Sequence, residues 1–188
     1  EGVDTMSLTA HKFYGLNGIG LLIKRRNLAL EPLIHGGEST TIYRSGTPTV
    51  ALASSLACAL DFAVTDLPGR VDHVAKLNAE LRAALSTYPL VRINSPDHAI
   101  PHVLNLSVRN VKGTVFQREL DAKGVCVSVK SACSSDGLPS RAVFAVSRDR
   151  RNALSSWRIS LSHLTTEDEI KAFLQAFDVC YRELTAVH

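Results

Sequence analysis

Ser7-Leu8-Thr9-Ala10-His11-Lys12-Phe13-Tyr14-Gly15 is the stretch on which the reading of this chain turns. Residues 6–8 are a short apolar piece, and they run into a turn that carries a threonine, a histidine and a lysine. Gly15, Gly18 and Gly20 follow, and residues 19–23 form a second apolar run closed by Lys24-Arg25-Arg26. The pattern predicts strand, loop, strand. Glycines crowded at one turn point to backbone in unusual dihedrals or pressed close to something. A lysine at a strand end is ordinarily a solvated surface group. It serves as a Schiff-base lysine where partial burial keeps its amine neutral often enough to attack a carbonyl. Thr9 and His11 can offer donors to a phosphate beside it. These residues alone leave both readings of Lys12 open.

Outward from this segment, His35-Gly36-Gly37 begins a polar loop that ends in Arg44-Ser45-Gly46-Thr47-Pro48. Thr47 with Pro48 is expected to start a helix running to about residue 64. Pro68 opens a second helix, in which Val71, Val74, Leu77, Leu81 and Leu85 make one apolar face, and Pro89 bounds it. Residues 91–94, 103–108, 125–129 and 157–161 read as strands, and 114–120 as a short helix. Leu104, Leu106 and Val108 alternate with polar residues. Thr166 and Glu169 have capping-box spacing, and Ile170, Phe173, Leu174, Phe177, Tyr181 and Leu184 hold one face of the helix they open. The chain divides near residue 66. Residues 1–66 are a strand-loop fragment with a helix; residues 67–188 are a linking helix and a small α/β unit with helices on one side of its strands.

Composition narrows the classes. The 188 residues are 45% hydrophobic and 21% charged, as in soluble globular proteins, which excludes a disordered tail, a collagen-like chain and a disulfide scaffold. Lys+Arg minus Asp+Glu is 21 − 18 = +3, too small an excess to argue for direct nucleic-acid binding. Cys58, Cys126, Cys133 and Cys180 include no C-x-x-C pair, so no metal site is expected. Four scattered cysteines in a chain that needs no disulfides suit a reducing, cytoplasmic setting. Cys58 and Cys180 are expected to be small buried hydrophobes. Glu1 and Asp4 stand where a signal peptide would be basic. The uncharged run 45–60 is shorter than the roughly 20 residues a bilayer requires, so no membrane partner is expected and a buried helix is the better reading. The chain opens without a methionine and contains only Met6, which reads as a piece of something longer.

Two further clusters carry chemistry. Ser131-Ala132-Cys133-Ser134-Ser135-Asp136-Gly137 is small, polar and flexible, with a thiol at its middle and Lys130 beside it. A free thiol has a pKa of about 8.5, and nearby positive charge raises its thiolate fraction. A reactive thiol and an incidental loop cysteine both remain open. Arg158, between Trp157 and Ile159 in a strand, is either an ordinary ion pair or a bidentate carboxylate clamp.

Taken in order, these segments resemble the cysteine desulfurases of the NifS/IscS type, within the class V aminotransferase superfamily. Residues 7–15 followed by Gly18-Ile19-Gly20 are similar to the pyridoxal-phosphate lysine segment. His35-Gly36-Gly37 with Arg44-Ser45-Gly46-Thr47 is similar to the next landmark, and Ser131-Ala132-Cys133-Ser134-Ser135 to the mobile-loop cysteine motif. Trp157-Arg158-Ile159-Ser160-Leu161, then Leu164-Thr165-Thr166-Glu167-Asp168-Glu169, is similar to the C-terminal signature. Lys130, Ser39, Thr40 and His102 depart from the family pattern.

The resemblance implies an α/β fold. It would be the C-terminal part of a PLP-dependent, aspartate-aminotransferase-like transferase, a small domain plus the end of the large one. It implies removal of sulfur from L-cysteine to give alanine and a persulfide on Cys133. Lys12 would hold pyridoxal 5'-phosphate covalently and act as base on the substrate. Thr9 and His11 would contact the cofactor phosphate, Thr47 would reach the phosphate of the other subunit of a homodimer, and Arg158 would hold the substrate carboxylate. A sulfur-acceptor protein would then receive the sulfur, for iron–sulfur clusters, thiolated tRNA or another pathway. Family members are about twice this length. The upstream half would carry the ring-stacking residue and the ring-nitrogen aspartate, so the 188 residues alone are expected to bind the cofactor weakly and lack turnover. The alternatives are another class V enzyme, an aminotransferase or selenocysteine lyase, and a non-enzymatic fragment that docks a sulfur-acceptor protein.

Overall fold

The computed structural model describes residues 2–37, 41–129 and 138–186. They fall into two compact units, Glu1–Leu67 and Pro68–His188. In the first, β1 (Thr5–Thr9) and β2 (Gly20–Lys24) form an antiparallel ribbon in register from Thr5 opposite Lys24 to Thr9 opposite Gly20. A single 3₁₀ turn, Ala10–Lys12, follows β1 directly. The Lys24 ammonium closes the far end by donating to the carbonyls of Arg25, Arg26 and Leu28 at 3.1, 3.3 and 2.8 Å.

Helix α1 (Val50–Val64) starts three residues later than Thr47, the residue at which the sequence suggested it would begin. Thr47 precedes a proline, and that position disfavours helical dihedrals. The expectation of a buried helix also fails. Leu56 is its buried residue, while Val50, Phe62 and Val64 are exposed. A two-stranded ribbon and one turn offer too little apolar surface to cover a helix in the same unit. Cys58 is exposed for the same reason, against the expectation that it would be buried.

The second unit begins with α2 (Leu67–Leu85) and holds a three-stranded antiparallel sheet in the order β3 (Val91–Ile93), β4 (Val103–Val108), β5 (Ser156–Ser160). The period of two along β4 turns Leu104, Leu106 and Val108 into the core, where Leu104 lies opposite Ile159 and Leu106 opposite Trp157. Val74, Leu77, Leu81 and Leu85 of α2 meet this face. So do Phe116 and Leu120 of α3 (Gly113–Asp121) and Ile170, Phe173, Phe177 and Cys180 of α6 (Glu167–Thr185). Trp157 is fully buried and stacked on Phe116, centroids 5.1 Å apart, with Phe177 5.2 Å from Phe116. Gly113 lets α3 come this close to the sheet, since a Cβ there would sit 2.4 Å from the Ser156 carbonyl oxygen. Thr166 and Glu169 make the reciprocal capping box at the start of α6, as their spacing suggested.

Two expectations are corrected. Residues 125–129 form no strand; Ser128 alone bridges Arg158. Their neighbouring backbone groups are spent elsewhere, with Val125 N–H donating to Leu120 O at 3.0 Å and Val127 O accepting from Gln117 Nε2 at 3.0 Å. Helices also lie on both faces of the sheet. The hairpin of α4 (Arg141–Ser147) and α5 (Arg150–Ser155) meets the polar face, where the Ser107 hydroxyl donates to the Asn152 carbonyl at 3.1 Å. Arg148 in the left-handed region (φ 54°) reverses the chain, and Asp149 caps α5 through the N–H groups of Arg151 and Asn152 at 2.9 and 3.0 Å.

Candidate functional site

The turn that carries Lys12 is held by backbone. The Ala10 carbonyl accepts from Phe13 N–H at 3.0 Å and from Gly15 N–H at 2.8 Å, and Ala10 itself is fully buried. A Cβ on Gly15 would lie 2.7 Å from the Ala10 Cβ and 3.1 Å from the Ala59 Cβ of α1. Real Cβ atoms do not approach that closely, so glycine is what allows the turn to fold back on itself. Thr9 is the last residue of β1 and His11 the middle of the 3₁₀ turn. Their side chains meet, Oγ1 to Nδ1, at 3.0 Å, while the hydroxyl's other acceptor, Ile19 O, is at 3.5 Å. With the hydroxyl proton given to Nδ1, a neutral imidazole keeps its own proton on Nε2 as a donor. Lys12 is exposed, so the partial burial a Schiff-base lysine needs is not supplied by its own unit. An amine, a hydroxyl and an imidazole within four residues of one pinned turn are the donor set that suits a phosphorylated aldehyde. The residues fit such a group.

Two other landmarks of the first unit come together. The Ser45 hydroxyl donates to His35 O at 2.9 Å and Ser45 N–H to Ile34 O at 3.2 Å. This brings His35-Gly36-Gly37 against Arg44-Ser45-Gly46 and sets Thr47, which is exposed, at the loop's exit toward α1. Ser39 and Thr40 lie outside the described residues.

Arg158 belongs to the second unit. It stands on β5 directly opposite Asn105 of β4. Trp157 and Ile159 on either side of it face the core, so Arg158 projects from the polar face of the sheet. Its backbone exchanges both hydrogen bonds with Ser128, at 2.7 and 3.2 Å. Its Nε is buried and without a hydrogen-bond partner. Cys133, expected as the nucleophile, and Lys130 lie outside the described residues. Of the other thiols, Cys180 is fully buried on the inner face of α6, as expected, and burial pushes its thiol pKa up and keeps it unreactive. Cys126 is exposed and donates to Asp121 Oδ1 at 3.7 Å. Among the described residues no group of three His, Cys, Asp or Glu side chains is placed to hold a metal ion, and no single helix is long and apolar enough to cross a membrane.

Sequence reasoning missed a polar network on the same face as Arg158. Asn152 Nδ2 donates to Asn94 Oδ1 at 2.9 Å, and Asn94 Nδ2 donates to Asn105 Oδ1 at 2.9 Å and to Ser107 Oγ at 2.8 Å. The loop after β3 is propped by Arg82, which reaches the carbonyls of Ser95 and Pro96, both at 3.1 Å. The signal was present as Asn105 in mid-strand, since asparagine is a poor strand former.

The whole of this arrangement can be set beside known proteins. The aminotransferase class-V family model matches residues 1–173. A relative named cysteine desulfurase IscS from Dictyoglomus turgidum is 32% identical over 99% of this chain and 48% of its own length. One of the same name from Vibrio cholerae is 36% identical over 98% of this chain and 46% of its own. The crystal structure of a NifS-like protein from Rickettsia africae superimposes with a TM-score of 0.84 at 29% identity, covering 96% of this chain and 48% of that one. The chain spans about half the length of the curated relatives it matches. Its fold is that of half of a NifS-like protein, mixed α/β with a small sheet. By a match over most of its residues, this chain belongs to the aminotransferase class-V family.

Proposed function

We propose that the protein carrying these residues is a pyridoxal-phosphate-dependent cysteine desulfurase that works as a cytoplasmic homodimer. The observation that carries the reading is the pinned Thr9-Ala10-His11-Lys12 turn, with its amine, hydroxyl and imidazole, in a chain of the class V family. The names of its relatives support the choice of L-cysteine as substrate. When bound, pyridoxal phosphate supplies an electron sink for the substrate carbon skeleton.

The chain's own residues have separate tasks. The Lys12 amine holds the cofactor aldehyde and then takes the substrate Cα proton. Thr9 and His11 contact the phosphate, with His11 Nε2–H as the donor while the Thr9 hydroxyl proton is held by Nδ1, and Thr47 reaches the phosphate held by the other subunit. Arg158 receives the substrate carboxylate. The Cys133 thiolate forms a bond to the substrate sulfur. The Cβ–S bond breaks with its electron pair staying on Cβ, Cβ takes up the proton given up by the Cys133 thiol, Lys12 returns the Cα proton, and alanine leaves. Cysteine and one thiol thus become alanine and one persulfide, which a sulfur-acceptor protein consumes. The 188 residues by themselves carry this lysine and this thiol, but they match only about half of each relative, and we expect them to bind the cofactor weakly.

The test is alanine and persulfide formation from L-cysteine by the purified protein. Cys133→Ala is expected to abolish the persulfide, and Lys12→Ala to abolish both alanine and the yellow colour of bound cofactor. Persulfide-free transamination that survives Cys133→Ala would instead identify an aminotransferase.

A further inference from the structure

The hydrogen bonds on the polar face of the sheet have a fixed direction, and that direction assigns a role to Asn105. A hydroxyl has one proton. Ser107 gives its proton to the Asn152 carbonyl, which can only accept, at 3.1 Å. Ser107 Oγ must therefore accept from Asn94, whose NH₂ lies 2.8 Å away. That sets the Asn94 amide with its nitrogen toward Ser107 and Asn105 and its oxygen toward Asn152 Nδ2, at 2.9 Å. Asn105 then meets the Asn94 nitrogen with its oxygen, at 2.9 Å. Its own NH₂ is turned away from Asn94 and has no partner among the described residues.

The neighbour on the other side is Arg158. Asn105 spends its backbone on the β3 side, its carbonyl accepting from Asn94 N–H at 2.8 Å and its N–H donating to Ser95 Oγ at 2.9 Å. Arg158 spends its backbone on Ser128. The two residues are thus a non-hydrogen-bonded antiparallel pair, the kind whose Cα atoms approach to about 4.5 Å and whose side chains lie closest. Two donor-only groups stand side by side: an amide NH₂ locked outward and a guanidinium with a buried, unpartnered Nε. Among the described residues no carboxylate pairs with Arg158. Two adjacent donors without an acceptor among the described residues suit an anion that arrives from outside.

We propose that Asn105 and Arg158 together bind the α-carboxylate of the amino-acid substrate, Asn105 through Nδ2–H, with Asn94, Ser107 and Asn152 as the positioning residues that keep its amide turned outward. This rests on the assignment of Arg158 as the carboxylate holder. The informative variant is Asn105→Asp. It keeps an oxygen for Asn94 Nδ2, so the network survives, and it replaces the outward donor with an acceptor that repels a carboxylate and captures Arg158.

Calorimetric titration of the cofactor-loaded protein compares L-alanine, the product, with ethylamine, its counterpart without a carboxylate. Asn105→Asp is expected to weaken L-alanine at least tenfold and leave ethylamine within about twofold, as expected for loss of a hydrogen bond to a charged group. Asn105→Ala should weaken L-alanine by a smaller factor, and Asn94→Ala, which unlocks the amide, by less again. Unchanged L-alanine affinity in Asn105→Asp, or equal weakening of both ligands, overturns the proposal. Arg158→Lys separates the two assignments. If it weakens L-alanine while Asn105→Asp does not, Asn105 alone is wrong. If Arg158→Lys leaves L-alanine affinity unchanged, the Arg158 assignment falls and the pair falls with it.

Discussion

Gly15 shows how much one missing atom decides in the lysine turn. Its N–H is one of two donors on the Ala10 carbonyl, and its Cα hydrogen occupies space where a methyl group would meet Ala10 and Ala59. Gly15→Ala is therefore expected to open the turn, with a cost of about 1–3 kcal/mol for overpacking at a crowded position. The reorientation of Lys12 should lower pyridoxal-phosphate occupancy of the purified protein at least tenfold while the unfolding of the second unit stays unchanged. Full occupancy in the variant would mean that the turn does not orient Lys12. Residue type alone left both readings of Lys12 open, and it was the order of the landmarks along the chain that resembled a family. What type could not tell was which side chains touch. The 3.0 Å contact of Thr9 with His11 exists because the strand ends at Thr9 and the 3₁₀ turn swings His11 back over it.

At the level of elements, α6 was the most legible and 138–155 the least. The capping box and the apolar face of α6 are both local patterns, and the structure contains both. Thr166→Ala removes the cap on Glu169 N–H and is expected to cost about 1 kcal/mol, measurable as a lower midpoint in urea at unchanged slope. Glu167, the next residue, adds a pH dependence. The Lys76 ammonium of α2, 2.6 Å from its carboxylate, holds the Glu167 pKa below the ordinary 4.5. A carboxyl whose pKa is depressed by folding stabilises the fold above its ordinary pKa, and the effect disappears as pH falls through the depressed value. The thermal midpoints of the parent and Glu167→Gln should differ near neutral pH and converge as pH falls below the ordinary 4.5, and salt should shrink the difference because both groups are exposed. A gap that persists in acid or high salt would show that the pair is not its source. Helices α4 and α5, of 7 and 6 residues, escaped the sequence reading because neither is long enough to develop a periodic face. Residues 125–129 misled for the opposite reason: a run of valines has strand propensity, but Gln117 and the end of α3 take its hydrogen bonds.

On the scale of the whole chain, the two units differ in how completely they bury themselves. The second closes a core around Trp157, Phe116 and Phe177, whereas the first leaves Leu33 97% and Ile42 76% exposed. Trp157 is the only tryptophan and is fully buried, so its fluorescence reports the second unit alone. We expect the red shift of Trp157 emission to occur at higher denaturant than the loss of far-ultraviolet circular dichroism from the first unit. Non-coincident transitions of this kind would mark two cooperative units, and coincident ones would mark a single one. The sequence by itself determined the family the chain resembles and the periodic elements α2, β4 and α6, because residue type and spacing are local properties. Only the tertiary structure decided that Cys58 and α1 are exposed, that helices cover both faces of the sheet, and that Asn105 stands beside Arg158 with its amide locked outward. Those outcomes depend on which surfaces meet and which hydrogen bonds compete, and residues far apart in the chain, such as Asn94 and Asn152, settle them only once they are brought within 3 Å of one another.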